Sequence, residues 1–274
     1  MGSDDLHKQN NSKKQLKRAR KKTRHQRNPP KKEAYDRVLI VCEGEKTEPF
    51  YIRALCRNLK LSSTRVEVKG DECGSSPTSV INYAIEYYRK DPSFEKIFCV
   101  IDKDTHSDYD RAINDARQAK LKRNNEKKIP GLKVITSIPC FEYWILLHFK
   151  YTDKPFHSSE NKSICDQVGE ELKEHMSFYG KGRDLATNIR NNQQQAVNEF
   201  PELEHINSRC TNPKKEQNCY DYIFDKIFEP CRAGAKKRAK SIWQQHVSVD
   251  RNPSTEMHEL VEYLENIKKK EISD

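Results

Sequence analysis

No apolar run in this 274-residue chain approaches the ~20 residues that a membrane-spanning helix needs. The N-terminus is charged and carries no apolar leader, so the chain reads as cytosolic, with no membrane partner. Nine cysteines are present without a single Cys-x-x-Cys pair. In that compartment thiols are expected rather than a disulfide framework. A zinc site from Cys210, Cys219 and Cys231 with a histidine would have none of the standard spacings. Cys73-Gly74-Ser75-Ser76 offers backbone N–H groups at a helix start but lacks the lysine of a phosphate-binding P-loop, which removes nucleotide binding. Internal repeats are absent. Apolar residues make up only 34% of the chain and charged residues another 34%, so part of it is expected to lie outside any packed core.

What is abundant is positive charge, and it is unevenly spread. The net charge is +10, and residues 1–36 hold twelve Lys and Arg against four acids. The run KKQLKRARKKTRHQRNPPKK has too little apolar surface to offset the entropy of ordering, so a disordered basic tail is expected there. Two uses stand open for it. Arg18, Arg20, Lys21, Lys22 and Arg24 can lie along phosphates, or the tail can be a solubilising leader. The rest of the sequence favours nucleic acid.

Residues 37–150 show a β/α rhythm. Strands are expected at 37–42, 64–69, 96–101 and 132–136, with helices at 47–60, 76–89 and 109–124 between them. Apolar, β-branched strands alternating with helices imply an α/β fold, a parallel sheet with helices on both faces. CFEYWILLHF then reads as one apolar helix. Residues 151–274 are helical and more polar, with helices expected near 160–177, 184–198, 215–228, 230–246 and 254–270. Asn252-Pro253-Ser254-Thr255 reads as a loop. This second half is expected to pack on the α/β domain.

Two strands end in acid. The first runs into Glu43-Gly44-Glu45, followed by Glu48, and the third into Asp102-Lys103-Asp104. Ligands in open α/β sheets bind at the carboxyl ends of strands. Residues two apart in an extended segment share a side, so Asp102 and Asp104 can address one point. Glu43 joins them if the first and third strands are neighbours. Three converging carboxylates repel one another unless protonated or bridged by a cation. Mg²⁺ or Mn²⁺ suits oxygen ligands, keeps waters and leaves room for a phosphate. The chemistry such a site serves beside a basic tail is phosphodiester cleavage.

Gly44 is expected to let the chain turn tightly, carrying Glu45 away into solvent. Glu48 has two open roles, complementing the helix dipole or joining the site. Glu142 lies on an apolar helix face after the fourth strand, where it needs either an exposed rim or a metal or basic partner. His148 is read first as a structural histidine. In Tyr179-Gly180-Lys181-Gly182-Arg183, Lys181 and Arg183 can hold a phosphate or form a solvated turn.

VCEGEKTEPFY, VIDKD, SIPCFEYWILLHF and the NPST before the last helix, in that order, resemble the RloB-like family. That family looks like a branch of the TOPRIM nucleases, the fold shared by topoisomerases, bacterial primases and overcoming-lysogenization-defect nucleases. The resemblance covers nearly everything after the tail. It implies a TOPRIM-like sheet, Glu43 in acid/base or metal chemistry, Asp102 and Asp104 as metal ligands, and Glu48 and Glu142 completing the site. It further implies a place in prokaryotic restriction or abortive-infection loci, often beside an ATPase, and an antiphage activity that cuts RNA, transfer RNA included, in preference to DNA. The competing expectation is a non-catalytic nucleic-acid-binding adaptor subunit of a defence complex.

Overall fold

In the computed structural model, the residues described are 37–119, 121, 132–179, 188, 191–204, 216–245 and 252–273. The chain opens with β1 (Val38–Cys42), every residue of which is buried. It continues through α1 (Thr47–Asn58), β2 (Val66–Lys69), α2 (Pro77–Lys90), β3 (Lys96–Asp102), α3 (Tyr109–Gln118) and β4 (Lys133–Ile138). The sheet order is β2-β1-β3-β4-β5, and the first four strands are parallel, as the apolar runs imply. Ser76 caps α2 through a capping box with Ser79, and Pro77 sits in the first turn, where its missing N–H costs nothing.

Strand alternation sorts the two faces. Val38, Ile40, Phe98 and Val100 pack with α1 and the later helices in one hydrophobic cluster. Leu39, Val41, Cys99 and Ile101 pack with α2 and α3 in the other. The path from β1 thus leaves to one side for β2 and returns to the other for β3. The gap between β1 and β3 is the switch point of the sheet, the place where α/β folds bind ligands.

After β4 come α4 (Phe141–Leu146), α5 (Ile164–Lys173), α6 (Gln193–Glu199) and α7 (Glu216–Ile223). α4 is shorter than the single apolar helix expected from CFEYWILLHF. His148 and Phe149 N–H groups turn back to Ile145 and Leu146, three residues earlier, and Arg238 donates to the carbonyls of Leu147 and His148. A distant arginine thus takes up the carbonyls that would have continued the helix.

The two helices expected at 215–228 and 230–246 are one continuous helical run. α7 passes through a π-turn (Phe224–Phe228) directly into α8 (Glu229–Gln245). Pro230 has no N–H to give, and the wider turn before it, with Glu229 N–H bonded to the Phe224 carbonyl, absorbs that loss.

NPST is not a loop. Ser254–Thr255 forms β5, antiparallel to β4, before α9 (Met257–Ser273). Glu256 accepts from both the Thr136 N–H (3.0 Å) and its hydroxyl (2.9 Å), and Ser137 and Thr255 hydroxyls meet at 3.0 Å. Among the described residues seven cysteines are free thiols, and Cys219 is disulfide-bonded. Among the described residues no helix is long and apolar enough to cross a membrane.

Candidate functional site

β1 and β3 are neighbours, with Cys42 opposite Val100, so the acidic ends of both strands meet at one edge. Glu43 continues the pairing by donating its N–H to the Val100 carbonyl at 3.1 Å. Its carboxylate is held from two sides. One oxygen accepts the Asp102 N–H at 3.1 Å, and the other stands 3.0 Å from His106 Nε2. Burial raises the Glu43 pKa, while the Asp102 N–H and His106 pull against that rise.

Asp102 is the last residue of β3, and one of its oxygens accepts the Phe141 N–H at the start of α4, at 3.1 Å. Its other oxygen, Oδ1, is enclosed and has no hydrogen-bond partner. The same holds for Oδ1 of Asp104. These two residues are not brought together by strand alternation. Asp104 has φ +28°, and its N–H turns to the Pro139 carbonyl at 2.9 Å, while Lys103 N–H bonds Ser137. The chain leaves β3 in a turn braced on the end of β4.

Glu48 is buried, with 9% of its surface exposed, and points back into the edge rather than only decorating the first turn of α1. Burial, and next the charge of Glu142, push its pKa up to about 8. Asp102 is held well above the usual carboxylate range by burial, followed by the charges of Glu48 and Glu142. Glu142 has a partner that is neither metal nor base: its carboxylate accepts the Tyr179 hydroxyl at 3.0 Å. Glu45 is exposed, as expected.

The chain bends at 43–46, as expected, without a positive φ at Gly44, and the glycine has a second role. A Cβ there would lie 1.9 Å from Oε2 of Glu48. Gly70, after β2, makes the complementary accommodation: a Cβ on it would meet the Gly44 carbonyl and the Pro49 ring, both at 2.7 Å.

Glu43, Glu48, Asp102, Asp104 and Glu142 thus form one electrostatic group at the switch point. Among the described residues no three acidic, histidine or cysteine side chains are already set as a closed metal cage. The donor set nonetheless fits a hard divalent cation, because all the donors are oxygens and two of them lack any partner. Mg²⁺ commonly binds through one or two carboxylates plus waters and substrate phosphate rather than through an all-protein cage.

Sequence reading missed His106 and Tyr179 as partners of the acids. His106 was legible as a group four residues beyond Asp102 in the same loop, whereas nothing local links Tyr179 to Glu142. Asp108, also near Glu43, is structural: Thr78 donates to it through N–H (3.1 Å) and hydroxyl (2.5 Å), tying the starts of α2 and α3 together. His148 is structural too. It is buried between Tyr51 Oη and the Trp144 carbonyl, each at 3.0 Å, and burial lowers its pKa to about 4. Lys181 and Arg183, and Arg18, Arg20, Lys21, Lys22 and Arg24 of the tail, lie outside the described residues. So does Cys210 of the zinc alternative.

The sequence profile of the RloB-like protein family matches residues 38–264, the sheet and nearly all of the helical region. No curated protein and no solved structure matches the chain.

Proposed function

The chain belongs to the RloB-like family, and on that footing we propose that it is a divalent-metal-dependent nuclease. One observation carries the reading. Two enclosed carboxylate oxygens, on Asp102 and Asp104, lack any partner inside a group of acids at the sheet's switch point. Buried, unpartnered carboxylates are costly to a fold and are kept where a cation or substrate completes them.

Asp102 and Asp104 would hold Mg²⁺ or Mn²⁺. Such a cation, when bound, lowers the pKa of its water and offsets charge on the phosphate oxygens. Glu43 is the proton acceptor. Its raised proton affinity brings it toward the working pH, and the Asp102 N–H with His106 fixes its orientation. His106, half exposed beside it, relays the proton to solvent. Glu48 keeps its proton at neutral pH in the metal-free protein and can donate it in a hydrogen bond. Glu142 is held in place by the Tyr179 hydroxyl.

RNA, transfer RNA included, is the favoured substrate over DNA. The setting is prokaryotic antiphage defence or abortive infection in the cytoplasm, with an ATPase as partner. These follow from the resemblance of the acidic motifs, not from the geometry. The test is cleavage of labelled RNA and DNA by the purified chain with Mg²⁺ or Mn²⁺. Asp102→Asn should abolish it. Full cleavage by that variant would overturn the reading, and bound but uncut nucleic acid in both proteins would favour the adaptor alternative.

A further inference from the structure

Beside the acidic centre, on the α3 face of the sheet, lies a cavity of about 1090 Å³ lined among others by Lys103, Tyr109, Arg117, Thr136, Ile138 and Trp243. The geometry points to a binding groove for single-stranded nucleic acid, with one base stacked on Trp243 and the strand leading to the acids. This rests on the nuclease reading and adds to it a substrate form and a second site.

Val134, Thr136 and Ile138 of β4 line the cavity and, being two apart, share one face of the strand. α3 supplies one wall through Tyr109, Ile113 and Arg117, spaced four apart on one helix face, and the end of α8 supplies Trp243. The groove follows β4 over a length of roughly 17 Å at ~3.3 Å per residue. Its upper end is Lys103, the residue between Asp102 and Asp104, which sets that end beside the turn that carries them. The volume is at the upper end of pockets for single small ligands, enough for one strand and too little for a duplex.

The chemistry of the lining selects nucleic acid. Tyr109 and Trp243 present aromatic surface, on which any base can stack. Trp243 is half-buried and backed by the His258 ring, with centroids 6.4 Å apart, which holds the indole in place. Arg117 is exposed and Lys103 half-buried, two cations beside the aromatics. Asp110 and Asn114 offer groups that can pair with base edges. Lys133 bonds Glu259 at 2.9 Å, and Glu256 accepts from Thr136. Three of the cations of α8, by contrast, are spent on the fold. Lys236 pairs with Glu265, Lys240 with Glu262, and Arg238 with the carbonyls after α4.

The experiment uses the full chain in EDTA, so that nothing is cut. The chain has two tryptophans, and Trp144 is fully buried, so a change in fluorescence on ligand binding reports Trp243. Single-stranded oligoadenylate should quench it saturably, and a duplex of the same length should not. Measured by anisotropy of a labelled strand, Trp243→Phe should bind as wild type and Trp243→Ala roughly tenfold more weakly. Arg117→Ala, an exposed change that spares the fold, should weaken binding and reduce its salt dependence. Absence of quenching, or wild-type affinity in both Trp243→Ala and Arg117→Ala, would overturn the groove. If Trp243→Ala fails to fold, Arg117→Ala decides alone. Failure of the nuclease reading looks different: quenching and binding intact, with no cleavage at any metal concentration.

Discussion

The carboxylate of Glu48 fills the space in which a side chain on Gly44 would stand, with the vacant Cβ position 1.9 Å from Oε2. The acidic loop after β1 is therefore built around Glu48, and the glycine between Glu43 and Glu45 is a condition of that carboxylate being buried.

Gly44→Ala should consequently displace Glu48 and cost about 1–3 kcal/mol of stability, the range for overpacking a tight site. Glu48→Ala removes the obstacle. Chemical denaturation of both single variants and the double should show strong non-additivity, with Gly44→Ala nearly harmless once Glu48 is gone. Additive losses would mean that the glycine serves its own backbone.

Stability should depend on pH through Glu48. Its folded pKa is raised to about 8 by burial and by Glu142, above the ordinary glutamate value of 4.5. Between those values the folded state keeps a proton that the unfolded chain has lost. Stability therefore falls as pH rises through that window and is lowest above it. The metal-free melting temperature should drop from pH 5 to pH 8, and Glu48→Gln should flatten that drop. An unchanged slope in the variant would exclude Glu48 as its source.

Mg²⁺ or Mn²⁺ should raise the melting temperature of the wild type by binding only the folded state. Asp102→Asn should lose that rise while leaving the metal-free melting temperature equal or higher, since it removes a carboxyl whose ionisation burial and the neighbouring Glu48 and Glu142 oppose. A metal-induced rise that persists in Asp102→Asn would move the cation elsewhere.

His106→Gln should lower cleavage on the order of a hundredfold and shift the pH–rate profile, because the imidazole both orients and polarises Glu43. A reduced rate with an unshifted profile would assign His106 a purely structural part.

Much of this architecture was open to reading from the chain. The four parallel strands announce themselves as short β-branched runs, and the strands that end in acid are the pair flanking the switch point. β5 was not legible, because a two-residue strand has no period and exists only through its pairing with Ser137 and Ile138. The acids were legible as types at strand ends. Their division of labour was not, because it depends on partners far away in sequence: Tyr179 for Glu142, and the start of α4 for Asp102. Asp102 and Asp104 were expected to address one point through extended alternation; Asp104 instead leaves β3 in a turn with positive φ, its N–H on the Pro139 carbonyl.

β5 also imposes an order in time. Every acid of the centre has been synthesised by Glu142, yet the end of β4 that braces the Asp102–Asp104 turn takes its outer pairing from Ser254 and Thr255. A chain still on the ribosome, short of those residues, carries all the reactive groups with that edge unpaired.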